Sequence, residues 1–249
     1  MRFGFLTYQN RSHAQSKCQS GADGIVGVMA TSTVEDYLKH ILLAEERAPE
    51  ARVSMGQIAT ALGVAPGTVT AMMKTLADGG LVEYEPYSGV RLSAPGRQLA
   101  THVLRRHRLI ELFLVEVMKM DWSEVHAEAE DLEHAVSDRL IERMDEMLGH
   151  PKVDPHGDPI PDTHGVVRKP EHESLLACPL DLPVRIARVS DQSRDFLQLL
   201  ERRGLKPGCN VVVDSRDEAA DSVTLKLAAG DTLNLGFRAA SKIFVDEAG

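Results

Sequence analysis

The stretch that decides the fold runs from Ser54 to Gly80, SMGQIATALGVAPGTVTAMMKTLADGG. Ser54 with Gln57 three residues later predicts a capping box, in which each side chain serves a backbone N–H at a helix start. Ile58, Ala59 and Leu62 supply the apolar face of that helix, and Gly63 ends it. A second helix follows Ala65, with Pro66 in its first turn, where a missing N–H costs nothing, and with Val69, Met72, Met73 and Leu76 facing inward. Gly79-Gly80 stops it. Downstream, Leu81–Glu85 and Val90–Leu92 read as two short strands about the turn Pro86-Tyr87-Ser88-Gly89. Upstream, Thr31–Glu46 is helical, capped by Ser32 or Thr33, with Val34, Leu38, Ile41 and Leu42 in one stripe. Helix, tight glycine turn, helix, hairpin is the order of a winged helix-turn-helix. The same elements also occur as core fragments of other domains; the tight Gly63–Pro66 turn and the local charge favour nucleic acid.

The net charge of −9 hides a division. Residues 51–108 carry 7 Lys+Arg against 3 Asp+Glu, and residues 109–150 carry 3 against 12, so the blocks sum to +4 and −9. A basic block beside an acidic one suits phosphate contact followed by cation binding, although two solvated surfaces would look alike on charge alone. At 249 residues, 43% hydrophobic and 26% charged, the chain has room for two or three packed domains. No apolar run approaches the roughly 20 residues of a membrane span, and Phe3–Tyr8 is too short for the apolar part of a signal peptide. Three cysteines, Cys18, Cys178 and Cys209, fit a reducing cytoplasm and exclude a Cys-rich zinc ribbon.

Residues 1–30 lack periodicity and read as a flexible tail, or as an upstream start with the natural one at Met29. Beyond the hairpin, one long helix is expected from about Ser93 to Lys119 and another from about Trp122 to Leu148, ended by Gly149. The second would place Val125, Leu132, Val136, Leu140, Met144 and Leu148 in a stripe that suits a two-fold homodimer or packing within the chain. His150–Gly165 is too rich in Pro, Asp and His for regular structure. Short strands are expected at Pro183–Val189, Cys209–Val213, Ser222–Leu227, Thr232–Leu235 and Lys242–Val245, with one helix at Ser193–Arg203, which together make a small β-barrel. The implied divisions are 31–101 for DNA binding, 102–165 for a helical module, 166–178 as linker and 179–249 as the β-module.

His126, Glu130, Glu133 and His134 fall within a sector of roughly 100° on one helix. His107 and Glu111 form an i,i+4 pair on the preceding one. Converging carboxylates are costly as bare charges, and a divalent cation between them removes that cost. A hydrated acidic face is the plain alternative. Carboxylate and imidazole ligands on helices also build di-metal oxidase or hydrolase centres, so an enzyme stays open here, as does a winged-helix regulator of an organic ligand.

His107-x-x-x-Glu111 followed by His126-x-x-x-Glu130-x-x-Glu133-His134, behind a winged helix, resembles the diphtheria toxin repressor and manganese transport regulator family. Val34-Glu35-Asp36-Tyr37-Leu38 and Pro155-His156-Gly157-Asp158-Pro159-Ile160-Pro161 resemble it too. The likeness implies a mainly α fold: an N-terminal winged helix-turn-helix, a helical metal-binding and dimerisation domain, and a C-terminal small SH3-like (FeoA-like) β-barrel. It implies a metal-dependent, DNA-binding repressor of metal uptake genes, a cytoplasmic homodimer on a palindromic double-stranded operator, activated by Mn(II) or Fe(II). It implies a primary metal site at Asp36, Glu130, Glu133 and His134, and an ancillary one at His107, Glu111 and His126, joined by Gln192 and Asp195 of the β-module. Iron-responsive members have Met and Cys where this chain has Asp36 and Glu130; manganese-responsive members resemble this chain there, but carry Glu where it has Lys39. A hard donor set of carboxylates and one imidazole suits manganese. For DNA, Pro66, Thr68 and Thr70 lie on the recognition helix, with Lys74 and the wing's Arg91 placed for phosphates. Thymine contacts from threonine and DNA shape would carry base readout.

Overall fold

The computed structural model describes residues 31–167, 171–228 and 230–248; the reading of residues 1–30 as tail or misplaced start lies outside them. Helix α1 (Ser32–Arg47) starts on Thr31, whose hydroxyl accepts the Val34 N–H at 3.4 Å. The sequence pointed to Ser32 or Thr33; Thr31 offers the same chemistry one residue earlier. In α2 (Met55–Leu62), Gln57 N–H donates to Ser54 Oγ at 3.3 Å and Ser54 N–H donates to Gln57 Oε1 at 2.8 Å, the expected capping box. Gly63 ends the helix at φ 64°, a left-handed conformation natural to glycine. Helix α3 (Pro66–Asp78) buries Val69, Met73 and Leu76, and β1 (Val82–Glu85) pairs antiparallel with β2 (Gly89–Leu92) as the wing. Tyr37, Leu38, Ile41, Ile58, Met73 and Val90 are among the residues of the core beneath them.

Helix α4 (Ala94–Glu116) carries the chain out of this unit, and its two halves serve different cores. Ala100 and Leu104 belong to the winged-helix core, whereas Leu109, Ile110 and Leu114 pack with Val125, Ala129, Ile141 and Ile160. The single helix expected over 122–148 is two: α5 (Val125–Leu132) and α6 (Asp138–Met147). Glu133 caps the first and Ser137 the second, with a turn between them. The break divides the proposed stripe. Val125 is fully buried, Val136, Met144 and Leu148 pack against the core, and Leu132 and Leu140 are exposed together with Met147.

The remaining residues form β3 (Glu173–Ser174), β4 (Pro183–Val189), α7 (Arg194–Arg202), β5 (Asn210–Asp217), β6 (Ser222–Leu227), β7 (Thr232–Gly236), α8 (Phe237–Ala240) and β8 (Ile243–Glu247). Their sheet runs β3-β8-β4-β5-β6-β7, every neighbouring pair antiparallel. Register shifts at Ile186/Arg188 and Val213/Ser215 mark bulges, which raise local twist and curl a sheet around its core. That core includes Ile186, Val189, Leu197, Leu200, Val213, Leu225 and Ile243. The stretch read as linker supplies β3 and buries Leu175 and Cys178 in the same core, so its latter part is a packed piece of the β-module. Two apolar residues spaced three apart gave too short a pattern to reveal this. Among the described residues no helix is long and apolar enough to cross a membrane.

The 154–158 segment is clamped onto β4. Val189 N–H donates to His156 O at 2.9 Å, Arg188 pairs with Asp158, and the His156 ring stacks on Trp122 with centroids 5.6 Å apart. Gly157 stands at φ +87°, where an added Cβ would lie 2.0 Å from Ala187 O. Gly157→Ala is therefore expected to cost at least about 2 kcal/mol through strain and backbone clash. The corresponding fall in Tm is about 4–8 °C. A melt within a degree of the parent's would show that the segment can lift from β4 freely.

Candidate metal centre

Four segments distant in sequence converge on one largely buried cluster: the first two turns of α1, the middle of α4, α5 with the turn after it, and the 154–158 segment. At one end, His134 Nε2 lies 2.9 Å from Asp36 Oδ1 and 3.3 Å from Glu133 Oε1. Its other nitrogen, Nδ1, lies 2.6 Å from Glu35 Oε2, so Glu35 fixes the ring and aims Nε2 at Asp36. In the middle, His107 Nδ1 lies 2.6 Å from Glu133 Oε2, and Nε2 lies 2.9 Å from Glu111 Oε1 and 3.2 Å from His126 Nδ1. Glu130 Oε1 stands 3.7 Å from His107 Nδ1 and 3.6 Å from His126 Nε2. Three sets of donors within 4.8 Å follow: Asp36, Glu133 and His134; His107, Glu130 and Glu133; and His107, Glu111 and His126. Glu130 falls in the set with His107, and Glu133 is common to that set and to the one with Asp36 and His134.

A fourth set was missed in the sequence: Glu111, Asp154 and His156, all buried. Glu111 Oε2, Asp154 Oδ2 and His156 Nδ1 are buried without a hydrogen-bond partner among the described residues. His156 Nδ1 lies 3.8 Å from Glu111 Oε2. The unsatisfied Glu111 Oε2 and His156 Nδ1, with Asp154 Oδ1 3.9 Å from that nitrogen, are donor chemistry that a divalent cation satisfies, whereas Asp154 Oδ2 lies 3.8 Å from Arg108 Nε. Only the run Pro155–Pro161 hinted at this segment, and it did so as a likeness rather than as a ligand set. Lys39 was also passed over as a participant. It is 1% exposed, and its Nζ donates to Glu130 Oε1 at 2.8 Å and to Glu133 Oε1 at 2.5 Å.

The charges set one another's protonation. Burial pulls the His107 imidazole down most strongly, but the Glu111 carboxylate and the hydrogen bonds that the ring donates to Glu111 and Glu133 outweigh it and raise its pKa to about 9. Burial likewise opposes charging of His156, and the nearby Glu111 and Asp154 carboxylates, with the Trp122 carbonyl at its Nε2, outweigh it and raise it to about 9. Burial, with Asp158 and Glu111 nearby, pushes Asp154 up to about 7. Glu111 is held well below the usual carboxylate range, its burial outweighed by His107. For Lys39, burial is opposed and exceeded by Glu133 and Glu130, which hold the ammonium above its ordinary value.

The β-module's two candidates stand apart from these groups. Gln192 Nε2 donates to Asp158 Oδ2 at 2.8 Å, and Asp195 is an exposed residue in the first turn of α7. Asp191, beside Gln192, turns to Lys242 and to Ser193 N–H, which anchors the start of α7 away from the cluster. On the winged helix, Pro66, Thr68 and Lys74 are exposed along α3. Thr70 is half-buried, and its hydroxyl donates to Pro66 O at 3.0 Å. Arg91 is tied to Glu50 O, beside the wing rather than at its tip, and the wing tip presents a fully exposed Tyr87.

A winged helix joined through a shared helix to a buried carboxylate–imidazole cluster defines a metal-responsive DNA-binding regulator. Residues 29–90 match the family described as iron dependent repressor, N-terminal DNA binding domain; residues 93–162 match its metal binding and dimerisation domain; residues 174–247 match the FeoA domain. A solved structure described as a manganese-dependent transcriptional repressor in complex with manganese is 40% identical, covers 86% of this chain and 100% of its own, and superposes with a TM-score of 0.79. A structure of ScaR with bound Cd2+ is 34% identical over 86% of this chain and 99% of its own, with a TM-score of 0.71. The iron-dependent repressor IdeR of Mycobacterium leprae is 28% identical over 228 residues, 86% of this chain and 97% of that protein. The chain belongs to the diphtheria toxin repressor and manganese transport regulator family of metal-dependent transcriptional repressors.

The two histidines raised to about 9, His107 and His156, give a pH test in the presence of a chelator. Unfolded, each would titrate near 6.5; folded, near 9. Their stabilisation is therefore complete below about pH 6.5 and lost as pH rises through about 9. Metal uptake has the opposite sign, because an imidazole must lose its proton to ligate, so affinity should rise across the same window. Urea midpoints in chelator at pH 6.5 and 9 check the first expectation. An unchanged midpoint would show that these two rings carry no extra protons in the folded chain.

Proposed function

We propose that this chain is a Mn(II)- or Fe(II)-activated repressor of metal uptake genes that binds a palindromic double-stranded operator as a cytoplasmic homodimer. The observation that carries the reading is the double allegiance of α1. Its Leu38, Ile41 and Leu42 are core residues of the winged helix, while Asp36 and Glu35 reach His134 of the helical domain. Asp36, Glu130, Glu133 and His134 would hold one ion, and His107, Glu111 and His126, with Asp154 and His156 beside them, a second. The ion supplies a positive charge that draws carboxylates of the two domains together. The family match to a dimerisation domain and the exposed Leu140 and Met147 support a two-fold pair. Exposed α3 residues Pro66, Thr68 and Lys74, together with Thr70, would meet the major groove, and Arg91 the backbone.

Metal preference follows from the donors. The cluster consists of carboxylate and imidazole, and Cys178 and Cys209 lie in the β-module. Hard oxygen donors suit Mn(II) better than a thiolate-bearing site would, and the manganese-dependent repressor among the solved relatives accords with that choice.

Asp36 tests the coupling. Asp36→Ala should leave fold and dimer intact, since both rest on apolar residues elsewhere. Metal-activated affinity for a duplex selected from a random DNA pool should fall about 5–150-fold, the span of ordinary coupling energies. Fluorescence anisotropy against Mn(II) concentration measures it. Superimposable curves for the two proteins would reduce Asp36 to a surface acid near a helix start, worth a few tenths of a kcal/mol.

A further inference from the structure

We propose that Lys39 is a built-in counter-cation that competes with the activating metal for Glu133, and so sets the metal concentration at which the protein responds. The inference rests on the metal-responsive reading above and concerns how that centre is tuned. Lys39 lies on α1 three residues after Asp36, so the same helix delivers one group that attracts a cation and one that repels it. Its ammonium is buried and bridges Glu130 Oε1 at 2.8 Å and Glu133 Oε1 at 2.5 Å. The Glu133 oxygen it holds is the one 3.3 Å from His134 Nε2, which itself is 2.9 Å from Asp36 Oδ1. An ammonium and a divalent ion sharing one buried oxygen repel each other at close range, and the water that would screen them is excluded.

Two consequences follow from that geometry. Without metal, Lys39 offsets part of the charge of the Glu130–Glu133 pair, whose second member is fully buried, and ties α1 to α5 and the turn after it. With metal, the ammonium opposes occupancy, and affinity is lower than the donor set alone would give. A lysine that merely braced the fold would do the first and not the second.

Lys39→Met, which keeps the length and removes the charge, separates them. In chelator the variant should melt below the parent. The rise in Tm on adding Mn(II) should exceed the parent's, and calorimetry should show Mn(II) binding tighter by at least about tenfold. Lys39→Arg, which keeps the charge, should stay near parental affinity. Equal loss of Tm with and without Mn(II), at unchanged affinity, would make Lys39 a simple structural ion pair and overturn the proposal. If Mn(II) shifts neither parent nor variant, the metal-responsive reading itself falls, and this one with it. Should Lys39→Met not fold in chelator, the parent protein decides by 15N NMR of the Lys39 ammonium, assigned by its loss in Lys39→Arg. A signal that moves on saturation with Zn(II) supports competition, and one that stays put refutes it.

Discussion

The structure depends on keeping several carboxylates in a place from which water is excluded. Glu111 and Glu133 are fully buried and Asp154 nearly so, and each such charge would be strongly unfavourable alone. Every neighbouring element is arranged to answer them. Helix α4 supplies His107, α5 supplies His126, α1 supplies Lys39, and the segment clamped on β4 supplies His156. These groups differ in kind. The imidazoles can give up protons, whereas the ammonium holds its proton more firmly than an ordinary lysine. The cluster can thus exchange part of its positive charge for a metal while a fixed part remains.

The winged helix was legible because its punctuation is local. Ser54 and Gln57 satisfy each other across three residues, Gly63 meets the one conformation that needs it, and Pro66 starts α3 where no N–H is needed. The metal cluster was legible in part, since His107-x-x-x-Glu111 and His126-x-x-x-Glu130 sit on helical spacings. The break between α5 and α6 was not read, because Glu133, His134 and Ala135 are all acceptable in a helix and nothing forces a stop. Its signal lay in Ser137-Asp138, a helix-start pair inside what looked like one continuous stripe. Lys39, Glu35, Asp154 and His156 escaped for another reason. Lys39 and Glu35 find their partners 91 or more residues away, and His156 meets Glu111 only because Gly157 lets its segment lie flat on β4. Pairing at that separation leaves no periodic trace.

Helix α4 gives the two modules a common skeleton. Its N-terminal half is part of the winged-helix core and its C-terminal half part of the metal-binding core, with no intervening loop. A single uninterrupted helix shared by both cores disfavours free hinging of the winged helix against the cluster. Such packed cores favour discrete arrangements over a continuum, which suits a two-position regulator.

The interruption after Leu132 also gives the centre a sign. Had the helix continued, the carbonyls of its last turn would have been consumed by the next turn's amides. Because α5 stops at Glu133, Leu132 O accepts both the Ala135 and the Val136 N–H in the turn that follows, and the negative end of the helix dipole falls beside His134. A cation arriving beside His134 meets an attractive backbone field in addition to Asp36 and Glu133, and an anion meets a repulsive one. The place where the backbone ceases to be helical therefore adds a cation-favouring field to the charge that the side chains supply.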